Sequence, residues 1–318
     1  MTILITMILG FIGLIWAANH LVTGSTGLAS HYRISPLVIG LTLVAIGTSA
    51  PAIMVAITAA LEGRTELALG NAIGANIANI GLVLGLTILL RPLTIKSTIL
   101  RREYPLLFLI MLFTYSLMLD GYLSITDGCL FLVGCIVLIG YFVYLARHSK
   151  KDALSREFQQ AINVKRPMKA NLLSLIMGLV ILPISAHFLV DSAVHIAHWL
   201  GVSELVMGLT IIAIGTCLPN IATSMVAAFK GQDDIAIGNI LGSNMFNMLM
   251  VMAFPGLVNP SAISHTILWR DIPAMFVITF VLLLVSYHYK KRIARWHGGL
   301  LLLIYCSYIV SLIFNAAV

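Results

Sequence analysis

The sequence predicts an all-α integral membrane protein with ten transmembrane helices in two inverted five-helix repeats and broken helices at the centre. Three observations carry this. Of the 318 residues, 60 % are hydrophobic and 10 % charged, against about 25 % charged in a soluble domain. The apolar residues gather in runs close to the ~20 needed to cross a bilayer. One 44-residue stretch recurs in register later in the chain. This composition excludes a soluble enzyme, a disordered chain and a nucleic-acid-binding domain, because so much apolar surface cannot be hidden in water.

The first span covers 3–22. It has no basic leader and no small-residue cleavage site, so it reads as a retained helix. Spans two to five cover 36–61, 67–90, 104–119 and 127–146. A polar stretch from Arg147 to Lys169 follows. The second set covers 171–190, 203–229, 235–257, 272–288 and 298–316. The domains are then a first repeat (1–146), a cytoplasmic linker (147–170) and a second repeat (171–318).

Basic residues set the expected orientation. With the central stretch inside, the inner loops hold Arg33; Arg91, Lys96, Arg101 and Arg102; Arg147, Lys150, Lys151, Arg156, Lys165, Arg166 and Lys169; Lys230; and Lys290, Lys291, Arg292 and Arg295. That is 17 of the 19 basic residues, with Arg64 and Arg270 outside. The bias puts both termini outside and accounts for the net charge of +7. Cys129, Cys135, Cys217 and Cys306 lie in or beside apolar runs without metal-ligand spacing and read as packing residues.

Shifted by 168, residues 37–80 fall without a gap on 205–248, and 20 of the 44 positions are identical. The matches include Gly47/Gly215, Thr48/Thr216, Pro51/Pro219, Gly63/Gly231, Gly70/Gly238, Asn71/Asn239, Gly74/Gly242, Asn76/Asn244 and Asn79/Asn247. The copies lie five crossings apart, an odd number, so they are expected to face opposite ways. Inverted repeats with Gly/Pro interruptions at matching positions point to a secondary transporter with its site near the midplane.

Each copy carries Gly-Thr-x-x-Pro. Pro51 and Pro219 each remove a backbone donor and clash with the preceding turn, so a helix break is expected there. The freed carbonyls around Ala45 and Ala213, beside the Thr48 and Thr216 hydroxyls, form a natural cation site. A plain proline kink is the structural alternative. Each copy then carries Gly-Asn-x-x-Gly-x-Asn-x-x-Asn, whose GxxxG lets helices approach closely. Asn71 and Asn239 read as amides bonding across helices; Asn79, Asn247 and Ser243 read as site residues.

With these motifs the chain resembles the calcium/cation antiporter superfamily, the sodium/calcium exchangers and their bacterial inner-membrane relatives. That family carries Gly-Thr-Ser-x-Pro-Glu and Gly-Asn-x-x-Gly-Ser-Asn in both halves. The resemblance implies ion-binding positions at Thr48, Ser49 and Asn79, and at Thr216, Ser243 and Asn247. It implies alternating access, inorganic cations and the lipid bilayer as partners, and no nucleic acid.

The chain departs from the family at the acidic positions, where Ala52 and Asn220 stand in place of two glutamates; Ala75 and Cys217 replace serines. All twelve acidic residues fall in loops or near span ends. Calcium takes six to eight oxygens, normally including carboxylates, so calcium exchange is expected to be weak or lost. Sodium suits the neutral ligands that remain, and calcium is the expected ion if the glutamates are restored. Two origins stay open: deliberate substitution in an ordinary antiporter, and a natural member that has left divalent transport. No resident metal or cofactor is expected. No nucleophile–base motif or P-loop suggests an enzyme; His187, His195 and His198 are expected around an outer loop at 190–202. A transport-inactive sensor or assembly subunit of the same fold is the alternative.

Overall fold

In a bilayer every backbone polar group must be satisfied within the chain, so apolar runs become helices. The computed structural model describes residues 2–32, 34–94, 97–148, 166–199, 213–288 and 293–316. Their helices form ten runs: α1 (Thr2–Tyr32), α2 (Pro36–Leu61), α3 (Thr65–Leu90), α4 (Ser97–Met118), α5 (Ile125–His148), α6 (Met168–Trp199), α7 (Ala213–Phe229), α8 (Asp233–Val258), α9 (267–288) and α10 (Arg295–Ala316). Seven of these (α1, α2, α3, α5, α6, α8 and α9) are long and apolar enough to cross a membrane. In α4 the charged Arg101, Arg102 and Glu103 fall within the first two turns. The first half of the expected seventh span, 203–212, lies outside the described residues, as does most of the expected linker.

Among the seven, α8 is the least apolar and the most buried. Its amides face protein, while the more apolar α5 faces outward. Helices α3 and α8 lie side by side at the centre, the N-terminus of each against the C-terminus of the other. The Thr65 hydroxyl donates to the Asn259 carbonyl at 2.8 Å and accepts from its amide at 2.9 Å. At the opposite end Arg91 donates to Asp233 at 3.0 Å, and the Thr94 amide donates to the same carboxylate at 2.9 Å. Thr65 and Asp233 are 168 residues apart, and so are Arg91 and Asn259. One contact therefore occurs twice, once neutral and once charged.

The outer helices cross over in the same manner. Helix α10 rests on α3, where a Cβ added to Gly298 would sit 2.5 Å from the Gly85 carbonyl. Helix α5 rests on α8, where a Cβ on Gly256 would meet the Gly128 backbone at 3.1 Å. Tyr122–Leu123 and Ser261–Ala262 form a two-stranded antiparallel sheet, and Leu93 bridges to Ile293.

Two expectations are corrected. Helix α1 runs to Tyr32 and α6 to Trp199, so His187, His195 and His198 lie on a helix and no loop interrupts it there. These two helices line each other closely at glycines: a Cβ on Gly10 would meet Leu189 at 3.0 Å, one on Gly178 would meet Leu21 at 2.6 Å, and in the added part of α1 one on Gly24 would meet Leu175 at 2.5 Å. Gly10 and Gly178, like Leu21 and Leu189, differ by 168, so the repeat register reaches α1 and α6, which lack the repeated motif. Finally, the helices continue through Pro51 and Pro219. The departure from α geometry in α2 comes about two to three turns before Pro51, as a π-helical stretch at Gly40–Val44. Thr48 Oγ1 lies 3.2 Å from the Ala45 carbonyl one turn back in the same helix.

Turns after α2 and α7 are alike. Gly63 (φ 72°) and Gly231 (φ 76°) adopt the left-handed conformation. Arg64 N–H bonds to the Ala59 carbonyl at 2.7 Å, and Gln232 N–H to the Ala227 carbonyl at 2.8 Å, closing each helix in a Schellman motif.

Candidate functional site

Helices α2, α3, α7 and α8 supply a buried cluster of neutral polar side chains. Thr48, Ser49, Asn76, Asn79, Thr216, Asn220, Asn239, Ser243, Asn244 and Asn247 are all buried. Close approach of α2 to α8 makes this possible. Gly238 and Gly242, the second GxxxG, admit the Leu37 and Leu41 carbonyls; a Cβ on Gly242 would lie 2.5 Å from the latter.

The bonds come in reciprocal pairs. Asn76 Nδ2 donates to the Asn244 carbonyl at 3.2 Å, and Asn244 Nδ2 to the Asn76 carbonyl at 3.3 Å. Asn79 Nδ2 donates to Asn244 Oδ1 at 2.9 Å, and Asn247 Nδ2 to Asn76 Oδ1 at 2.9 Å. The Thr48 hydroxyl donates to Asn239 Oδ1 at 2.8 Å, and the Thr216 hydroxyl to Asn71 Oδ1 at 3.5 Å. In each pair a shift of 168 converts one bond into the other. Asn79 and Asn247 also each open a π-helical stretch, Asn79–Leu84 and Asn247–Val251. Such π turns collect at functional sites.

The symmetry fails at Ala52 and Asn220. Asn220 Nδ2 donates to Asn79 Oδ1 at 2.9 Å. Its Oδ1 accepts from Asn239 Nδ2 at 3.3 Å and from Ser243 Oγ at 3.2 Å. The equivalent Ala52 offers only a methyl, and Asn247 Oδ1, the counterpart of Asn79 Oδ1, is buried without a hydrogen-bond partner. Ser49 Oγ, one turn before Ala52, is likewise buried and unpartnered. One half of the cluster is saturated by an amide; the other retains two bare oxygens.

The residues expected at the site are therefore brought into one neighbourhood, apart from Ala213, for which only the backbone is described. Ser243 Oγ lies 3.2 Å from Thr48 Oγ1 and 3.4 Å from the Ala45 carbonyl. Asn76 and Asn244 stand at the centre, a place that motif reading did not give them; their presence in both copies was the available signal. Asn239 bonds across helices as expected, yet its partners are the site residues themselves. Among the described residues no carboxylate joins the network: Glu103, Asp127 and Asp271 are buried near helix ends. Among the described residues no group of three or more His, Cys, Asp or Glu is placed to hold a metal.

Residues 2–149 and 170–314 match the sodium/calcium exchanger protein family. The putative antiporter CaxA of Alkalimonas amylolytica is 42 % identical over 96 % of either chain. The inner membrane protein YrbG of Escherichia coli (strain K12) is 38 % identical over 93 % of this chain and 92 % of its own. Solved structures of the sodium-calcium exchanger NCX_Mj superpose with a TM-score of 0.83 at 30 % identity, covering 98 % of both chains.

Proposed function

The chain belongs to the sodium/calcium exchanger protein family, and on that premise we propose that it is a secondary cation transporter of the inner membrane working by alternating access. Ten spans in two inverted five-helix halves carry it, with the linker inside and both termini outside. The reciprocal bonding of Asn76 and Asn244 supports this reading most directly, because residues 168 apart exchange identical contacts only about a two-fold axis. Loop pairing agrees with the orientation. The 91–94 turn meets Asp233 and Ile293, all expected inside, while Thr65 and Tyr122–Leu123 meet Asn259 and Ser261–Ala262, all expected outside.

The transported ion is monovalent, with sodium the candidate, held by Thr48, Ser49, Asn79, Thr216, Ser243 and Asn247. A divalent ion stripped of water among neutral ligands leaves a large uncompensated charge. A monovalent ion is satisfied by hydroxyl, amide and carbonyl oxygens of the kind transporters place at irregular helix segments. The two unpartnered oxygens, Ser49 Oγ and Asn247 Oδ1, favour ligation on the Ala52 side of the cluster.

Reconstitution in proteoliposomes tests both statements. Sodium is expected to raise the melting temperature and to move down its gradient; calcium is expected to do neither. Rapid sodium-driven uptake of radiolabelled calcium would overturn the ion assignment. No flux of any cation would favour a transport-inactive sensor or assembly subunit of the same fold.

A further inference from the structure

The α1–α6 pair is tied to the core by a contact that has no equivalent on the opposite face. Lys230, in the turn between α7 and α8, donates from Nζ to the Thr23 hydroxyl at 2.6 Å and to the Asn19 carbonyl at 3.2 Å, both on α1. The Thr23 hydroxyl uses its own proton on the Asn19 carbonyl at 2.7 Å, so its lone pairs face the ammonium. Partial loss of water around the head group, with the Arg166 guanidinium nearby, lowers the Lys230 pKa.

The repeat register supplies the comparison. Lys230 corresponds to Glu62, Thr23 to Asp191 and Asn19 to His187. A donor facing a hydroxyl on one side thus becomes two carboxylates on the other. There Glu62 turns to Arg64 at 3.6 Å and Asp191 to His195 at 3.8 Å, with both acids more than half exposed. Among the described residues no bond joins Glu62 to Asp191, and two ionised acids supply no proton for one.

We propose that Lys230 is a positioning residue of the transport cycle: it holds α1 against the α7–α8 turn on its own face of the molecule, and the Glu62 face has no such hold. The conformational equilibrium is thereby biased toward closure at the Lys230 face. This rests on the alternating-access reading above, in which one face must open while the other closes.

Two readouts test it. In a background lacking the native cysteines, Ser25→Cys is placed on α1 just beyond the tie, where the parent side chain is buried. Labelling by a membrane-impermeant maleimide from the Lys230 face is expected to rise about fivefold in Lys230→Met, the factor that one hydrogen bond of ordinary net strength supports. It should fall back in Lys230→Arg, and Thr23→Val should reproduce the Lys230→Met effect. In membrane vesicles of the two orientations, Lys230→Met is expected to shift the apparent sodium KM in opposite directions on the two faces. Unchanged labelling in both Lys230→Met and Thr23→Val would overturn the proposal, as would a KM shift of the same sign on both faces. If the parent moves no cation, the transport reading fails, while the labelling arm still decides whether the tie exists.

Discussion

Asn76 and Asn244, 168 residues apart, each donate an amide hydrogen to the other's backbone carbonyl, at 3.2 and 3.3 Å. Their side-chain oxygens are also taken, by Asn247 and Asn79 at 2.9 Å. Four amides thus form a chain, Asn79–Asn244–Asn76–Asn247, whose two middle members bond reciprocally between α3 and α8.

Truncating one member should leave its partners bare. Asn76→Ala and Asn244→Ala are each expected to destabilise the protein by about 1–3 kcal/mol, the range for stranding buried polar groups. The double substitution should cost less than the sum, since both remove the same bonds. Thermal melts in detergent check this; strict additivity would argue against a shared set of bonds.

Ala52→Asn should complete the pattern that Asn220 sets. Its amide would reach Asn247 Oδ1 as Asn220 reaches Asn79 Oδ1. The melting temperature should rise by the equivalent of about 1 kcal/mol, and stabilisation by sodium should shrink. A drop in stability would mean that the Ala52 side has no room for the amide.

Ala52→Glu with Asn220→Glu should install two carboxylates in a buried site. Without divalent ions the variant should melt lower than the parent, because two desolvated like charges repel. Calcium should recover the loss, its coordination demanding such oxygens. Melting curves with and without calcium give the comparison, and an indifferent variant would count against the site assignment.

Gly298→Ala would push a methyl to 2.5 Å from the Gly85 carbonyl. The expected loss is about 1–3 kcal/mol from forced separation of α10 and α3. Gly140→Ala is the control. Nothing lies within 4 Å of its added Cβ, so it should be neutral or gain up to about 1 kcal/mol from helix propensity. Equal losses in both would show that packing is not the cause.

Much of the fold was legible because bilayer solvation acts on the chain one segment at a time. Runs such as 36–61 and 67–90 announce helices by apolarity and length, and the Gly63/Gly231 match announces the same turn twice. The helix limits of α1 and α6 were not legible. The added turns of α1 pack on α6 at contacts such as Gly24 with Leu175, which no local pattern contains. Nor was the behaviour at Pro51: propensity predicts a break, while the helix, packed among its neighbours, runs on through the proline.

The sequence by itself determined the membrane class, the 168-residue register, and a polar motif from which two acidic positions are missing. Those are properties of residue type and spacing, which read out along one dimension. Only the tertiary structure decided that Asn76 and Asn244 are the centre, that Asn220 saturates one half while Ser49 and Asn247 stay bare in the other, and that Lys230 holds α1. A hydrogen bond needs its donor and acceptor within about 3 Å, and across helices that proximity is set by packing.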